Sequence, residues 1–201
     1  MTIKIKRYLQ SSYPEIADQL RKTETIPKLK RRDVLLPEAV VRVVVGQMLS
    51  SKAADTIYSR VKQQSVEKNL SGSWLLEHRS LRSCGLSNSK ARTICEFGAR
   101  LGDDPGALDY WYSLPPIELM NEIKCYRGMG EWTAGILALF YVGHENVFPA
   151  GDGSLARAID LIQQASGKEK AKPFDVEKAS PYRSYLALYL WQLLDTGAFS
   201  K

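Results

Sequence analysis

Cysteine and histidine are scarce in this 201-residue chain, with three of the first and two of the second. Cys84, Cys95 and Cys125 form no CxxC pair and cannot supply a four-thiolate cluster, and His78 and His144 stand alone. No metal site and no cofactor are expected. Long apolar runs are missing too. "ILALFYV" (136–142) is far shorter than the roughly 18 residues that would cross a bilayer, so no membrane association is expected. The N-terminal "MTIKIKRYLQ" carries charge but neither the apolar core nor the small-residue cleavage site of a secretion signal, which makes a cytoplasmic location the default. Nowhere do two alternating apolar–polar runs flank a hairpin turn. The Asp-Gly in "AGDGSL" leads into a helical pattern instead.

What remains reads as helix. The hydrophobic fraction of 44% and charged fraction of 25% are those of an ordinary globular protein, and the length suits one large domain or two small lobes. "SSYPEIADQLRK" offers Ser12 as an N-cap with Pro14 in the first turn, and "LPEAVVRVVVGQML" (36–49) starts on Pro37 as a buried helix. Further helices are expected at 50–64, 115–126, 131–142, 153–165 and 181–194, with another in "NSKARTICEFGARL". The fold class is all-α, about ten short helices joined by Gly- or Pro-marked turns. "SGKEKAKPFD" (166–175) is the most polar stretch and is expected to be a surface loop. The net charge is +6, from 28 basic and 22 acidic residues, and "KLKRRD" (28–33) and "SNSKARTICEFGAR" (87–100) concentrate it. A polyanionic partner follows, nucleic acid before membrane.

"CYRGMGEWTAG" (125–135) is the sharpest local feature. A helix ending near Tyr126, a turn holding Gly128 and Gly130, and a helix from Glu131 make a helix–hairpin–helix. Glycine leaves backbone amides unshielded, and the second helix adds its own unpaired N–H groups and the positive end of its dipole. Together they form a socket for one phosphate, a contact that positions nucleic acid without reading its sequence. On spacing alone, an ordinary turn fits as well.

"RGMGEWTAGILALF" followed by "VFPAGDGSLARAI" resembles the signature of the helix–hairpin–helix DNA glycosylases, and the DNA-3-methyladenine glycosylase II branch in particular. "VVVGQMLSSKAA" (43–54) and "PYRSYLALYLW" (181–191) resemble two more blocks of that family, so four motifs run in order from about residue 37 to 195. The resemblance implies a single domain over 1–201, built as two intertwined helical lobes with a DNA- and base-binding cleft between them and the hairpin at about 115–142. A compact version without the β-rich lobe that some members carry is expected. The implied partner is double-stranded DNA containing a modified base, and the implied state is a monomer.

The resemblance also assigns roles. Asp152 reads locally as a helix N-cap, but the family places its catalytic carboxylate there. Breaking an N-glycosidic bond builds positive charge on the sugar, which one carboxylate can stabilise while orienting water. A base made cationic by alkylation leaves without a general acid. Trp132 stands where bifunctional relatives carry a nucleophilic lysine, so a monofunctional enzyme is implied. Trp132, Ile136 and Trp191 match base-pocket positions, with Ile136 replacing a tyrosine found in some members. Met48 sits where the family places the wedge that fills the gap left by a flipped base. Gly128, Met129, Gly130 and Thr133 of the hairpin, with Gln47 and Ser50 at the other junction, match the DNA-backbone contacts. A monovalent cation can join such a hairpin when DNA is bound. Two other readings remain: a glycosylase for a different modified nucleobase, such as a modified pyrimidine of foreign DNA, and a DNA-binding module without catalysis.

Overall fold

The computed structural model describes residues 1–165 and 173–199. Most of the polar stretch at 166–175 lies outside these, and Pro173–Asp175 have no regular structure. Among the described residues there is no strand. The described residues form ten α-helices in succession: α1 (Thr2–Ser12), α2 (Ala17–Lys22), α3 (Leu36–Gly46), α4 (Ser51–Glu67), α5 (His78–Ser83), α6 (Asn88–Leu101), α7 (Pro116–Lys124), α8 (Glu131–Leu137), α9 (Gly153–Ala165) and α10 (Arg183–Asp195). Ser12 therefore ends a helix and caps none. Ile5 and Leu9 are both buried, which makes "MTIKIKRYLQ" worth folding into α1, and the chain then turns through a 3-10 segment at Pro14–Ile16. The helix expected over 131–142 is α-helical only to Leu137 and continues as a π turn over Ala138–Val142. Among the described residues no helix is long and apolar enough to cross a membrane.

Contacts divide the chain into two units, residues 1–30 with 143–201, and residues 31–142. In the first, α10 is buried along Ser184–Ala187 and at Tyr189, Leu190 and Leu193, and it packs against α9 and α2. Two of its tyrosines fasten the segment that follows α2. Tyr189 accepts from Ile26 N–H at 3.3 Å, and Tyr185 accepts from Leu29 N–H at 3.1 Å while donating to Glu145 at 2.9 Å. Burial pushes the Tyr185 phenol up to about 12, which keeps it a donor at neutral pH.

The second unit is organised around α3. Every residue from Leu36 to Val45 except Arg42 is buried, so its valine run is a helix with core on nearly all sides. Pro37 suits the first turn, where its missing N–H costs nothing. Glu38 is buried as well and is satisfied there. It accepts from Ser73 N–H at 2.6 Å, from the Ser73 hydroxyl and from Tyr58 Oη at 2.9 Å, with Lys62 Nζ at 3.4 Å. This carboxylate ties α4 and the 3-10 turn at Ser73–Leu75 to α3.

Beneath that turn, α6 passes so close that a Cβ on Gly98 would overlap the Trp74 carbonyl oxygen. Trp74 Nε1 also donates to Gly102 O at 3.0 Å, locking the pair. Gly→Ala inside a helix ordinarily stabilises by about 1 kcal/mol. Here the overlap dominates, and Gly98→Ala is expected to destabilise the protein by roughly 1–3 kcal/mol. Urea unfolding tests this, since an unchanged or higher midpoint would show that α6 can move away from Trp74 without penalty.

Candidate active site

The wedge candidate is set by the way α3 ends. The helix stops at Gly46, Gln47 turns away with φ −50° and ψ 130°, and Met48 enters the left-handed region at φ 56°. Such a conformation costs a non-glycine residue of order 1–3 kcal/mol and persists only when its surroundings impose it. Lys90, from the first turn of α6, donates through Nζ to Val45 O at 2.9 Å and to Gln47 O. Gln47 in turn donates through Nε2 to Gly128 O and to Thr133 Oγ1, both at 2.9 Å. Ser50 then caps α4 by accepting from Ala53 N–H. The Met48 side chain is left fully exposed between two pinned residues.

The hairpin runs from α7 to α8. Met129 N–H bonds to Tyr126 O at 3.1 Å, and Gly128 has φ 78°. A Cβ on Gly128 would also overlap Thr93 Oγ1 of α6, so both conformation and space demand glycine there. Gly130 differs. Its backbone is extended, and a Cβ would meet nothing within 4 Å, so the fold does not require a glycine at this N-cap of α8. No side chain caps α8, and its first N–H groups have no helical partner. Met129 and Thr133 are buried at 3% and 1% exposure. Their side chains are therefore packed inside the unit, and the Met129 N–H is taken by Tyr126 O. Gln47 likewise spends its amide on the hairpin.

Trp132 and Ile136, one turn apart on α8, are half-buried and line one cavity of about 460 Å³ in the second unit. Phe140 and Tyr141 of the π turn share its wall, together with Arg32 and Arg42. Composition gave no reason to expect arginine there; "KLKRRD" was legible only as a charged run.

Asp152 and Trp191 come together in the first unit. A turn at Pro149–Gly151, with Asp152 N–H bonded to Pro149 O at 3.2 Å, delivers the carboxylate to the start of α9. Its Oδ1 accepts from Leu155 N–H at 2.9 Å, so Asp152 is an N-cap. The same oxygen accepts from Trp191 Nε1 of α10 at 3.1 Å. One oxygen thus carries two donors from two helices, which fixes the carboxylate plane.

The approach to Asp152 is fixed as well. Arg183 donates to Asn146 Oδ1 and to Asn146 O, each at 3.0 Å, and to Glu177 at 2.6 Å. Buried Ser184 donates to His144 O at 2.7 Å and accepts from Val147 N–H at 3.1 Å. Arg183 is a clamp on this loop. Among the described residues no group of three His, Cys, Asp or Glu side chains could hold a metal ion.

Sequence comparison places two curated relatives beside this chain. The DNA-3-methyladenine glycosylase 1 of Schizosaccharomyces pombe is 27% identical over 173 residues, spanning 82% of this chain and 75% of that protein. The alkylbase DNA glycosidase-like protein of the same yeast is 26% identical over 165 residues, 78% of this chain and 76% of its own. No protein-family model matches. Among solved structures, the S. pombe 3-methyladenine DNA glycosylase in complex with abasic DNA superposes with a TM-score of 0.72 at 20% identity, covering 98% of this chain and all of that one.

The chain has the fold of the helix–hairpin–helix DNA glycosylases and is similar in sequence to DNA-3-methyladenine glycosylases.

A DNA-3-methyladenine glycosidase from Bacillus halodurans shares the glycosylase fold at a TM-score of 0.67 and 22% identity, over 96% of this chain and 91% of its own. Within this chain, Lys90 is the residue that charge patterning missed, because its position in a basic stretch pointed to solvent or DNA. Lys90→Met keeps the apolar stem but leaves two carbonyls at the end of α3 without their donor. It is expected to lower stability by about 1–3 kcal/mol. Loss of protection at the Leu49 amide, which bonds Gly46 O at 3.2 Å, should accompany it in hydrogen exchange. Protection equal to wild type would show that the turn holds without Lys90.

Proposed function

We propose that this protein is a DNA glycosylase that removes an alkylated purine from duplex DNA by hydrolysis and leaves an abasic site without cutting the strand. The observation that carries the reading is the Asp152 carboxylate, oriented by Leu155 N–H and Trp191 Nε1 on one oxygen. The names of the two yeast relatives, a DNA-3-methyladenine glycosylase and an alkylbase DNA glycosidase-like protein, agree with it. As the bond between C1′ and the base breaks, the sugar becomes cationic, and a fixed anion stabilises that charge without reorganising. Asp152 also orients a water molecule and takes its proton as the oxygen bonds to C1′.

DNA would be held by the main-chain N–H groups at Gly130 and the start of α8 acting on a phosphate. Met48, pinned at its backbone and exposed in its side chain, would enter the gap in the base stack. Trp132 would give the flipped base a π-face. An indole at this position offers no nucleophile for a lyase step, which supports the monofunctional reading. Lys124 does not replace it, because its ammonium is paired with Glu131.

Asp152→Asn retains a residue able to cap α9, so the fold is expected to survive. Base release should fall about a hundredfold or more while duplex binding is kept. Wild-type product should stay an intact strand until treated with alkali. An Asn variant as active as wild type would refute the catalytic assignment, and spontaneous nicking by the pure enzyme would refute the monofunctional one. Gly130→Asp places a carboxylate in open space at the phosphate socket. It should weaken binding to damaged and undamaged duplexes alike, by about tenfold. Unchanged affinity would remove the hairpin from the DNA interface.

A further inference from the structure

The wall that Trp132 and Ile136 share is positively charged. Arg32 and Arg42 both line the cavity, and among the described residues no carboxylate does. Arg42 is already committed, paired with Asp55 and stacked 5.1 Å from the Tyr58 ring centroid. Arg32 is exposed and has no acidic partner among the described residues. Its guanidinium lies 5.1 Å from the Tyr141 centroid and 5.8 Å from that of Phe140, and its backbone N–H bonds to Tyr141 O at 2.9 Å. Cation–π attraction therefore holds five N–H donors at the cavity while no carboxylate takes them.

This bears on which bases the cavity suits. A purine alkylated at N3 or N7 is a cation, and its attraction to an aromatic pocket comes from open π-faces and nearby carboxylates. Here two of the rings already face a guanidinium, and the wall offers no countercharge. A neutral alkylated purine, of the etheno or O6-alkyl type, meets the opposite situation. Its ring nitrogens and exocyclic oxygen accept hydrogen bonds, and guanidinium is a strong donor to such edges.

We propose that Arg32 is a specificity-determining residue that selects a neutral, acceptor-bearing alkylated purine over a cationic one. The proposal rests on the glycosylase reading above and narrows its substrate. It also supplies what a neutral leaving group lacks. When the C1′–N9 bond breaks, a neutral purine departs with the electron pair as an anion, whereas a cationic purine departs neutral. Water oxygen bonds to C1′, its proton passes to Asp152, and the departed base recovers a proton from solvent. A guanidinium donating into the base edge disperses the negative charge as it forms.

The test uses full-length protein in single-turnover release from duplexes that carry either ethenoadenine, which is neutral, or N7-methylguanine, which is cationic. Wild type should release ethenoadenine faster. Arg32→Gln should lose tenfold or more of that rate, with N7-methylguanine release unchanged or raised and duplex affinity unchanged. Equal loss on both bases with weaker duplex binding would make Arg32 a phosphate contact and overturn the proposal. So would indifference of both rates to the substitution. Asp152→Asn run in parallel separates the two readings. If wild type releases either base and the Asn variant releases neither, the glycosylase reading stands whatever Arg32 does. If wild type releases no modified base, both fail together.

Discussion

Lys90 donates its ammonium to the last carbonyls of α3, and much of the second unit takes its geometry from that contact. A helix leaves four carbonyls without partners at its C-terminus, and a buried end needs donors from somewhere. Many helices solve this with glycine at the next position. Here the donor comes from α6, and Burial lowers the pKa of the ammonium that supplies it. With its carbonyl held by Lys90, Gln47 has only its side chain free to turn, and that side chain reaches the Gly128 carbonyl and the Thr133 hydroxyl. The end of α3, the start of α6 and the hairpin are thus joined through two residues. Met48 is the next residue along, and its left-handed backbone is the strain this joint imposes.

The first unit builds its own fixed point by a related method. The N-terminal residues of α10, Arg183 and Ser184, hold the loop at 144–147, and Trp191, two turns further along the same helix, holds the Asp152 carboxylate. One helix therefore sets both the approach to Asp152 and the orientation of its side chain. A carboxylate on a loop would ordinarily lose precision to loop motion. This one is referred to two helices, α9 through its cap and α10 through the indole, which is how a group can be kept in place without a second acid beside it.

The helical pattern, the hairpin and the Asp152 turn were legible because each leaves a local trace. Gly128 and Gly130 mark a turn, Asp-Gly marks a helix start, and the spacing of apolar residues marks most helices. What was not legible depends on distant partners. Lys90 sits in a basic stretch, and nothing near it in sequence says that its ammonium points at α3. Thr133 looks like a surface hydroxyl at a helix start until Gln47, 86 residues earlier, is found against it. Helix α1 is short and charged, with Ile5 and Leu9 as its buried pair, too few to stand out by period. Gly128 and Gly130 look equivalent in sequence, yet only Gly128 is held by a positive φ and by Thr93.

The functional candidates share one structural position: Met48 follows a helix C-terminus, while Gly130 and Asp152 cap helix N-termini. Helix ends are where backbone groups are left unpaired, so they are where a polar ligand can be met by main chain at little cost in side-chain entropy. They are also the loosest parts of a helix unless something fixes them. In this protein each end is fixed by a side chain from elsewhere in its own unit, namely Lys90, Gln47 or Trp191. The net charge of +6 can draw DNA in from any direction and at any sequence, which by itself selects nothing. Discrimination has to come from groups whose position does not relax when DNA arrives. The fold provides them by tying its helix ends together, and the arginines on the Trp132 wall belong to the same scheme, held against Tyr58 and Tyr141 before any base is present.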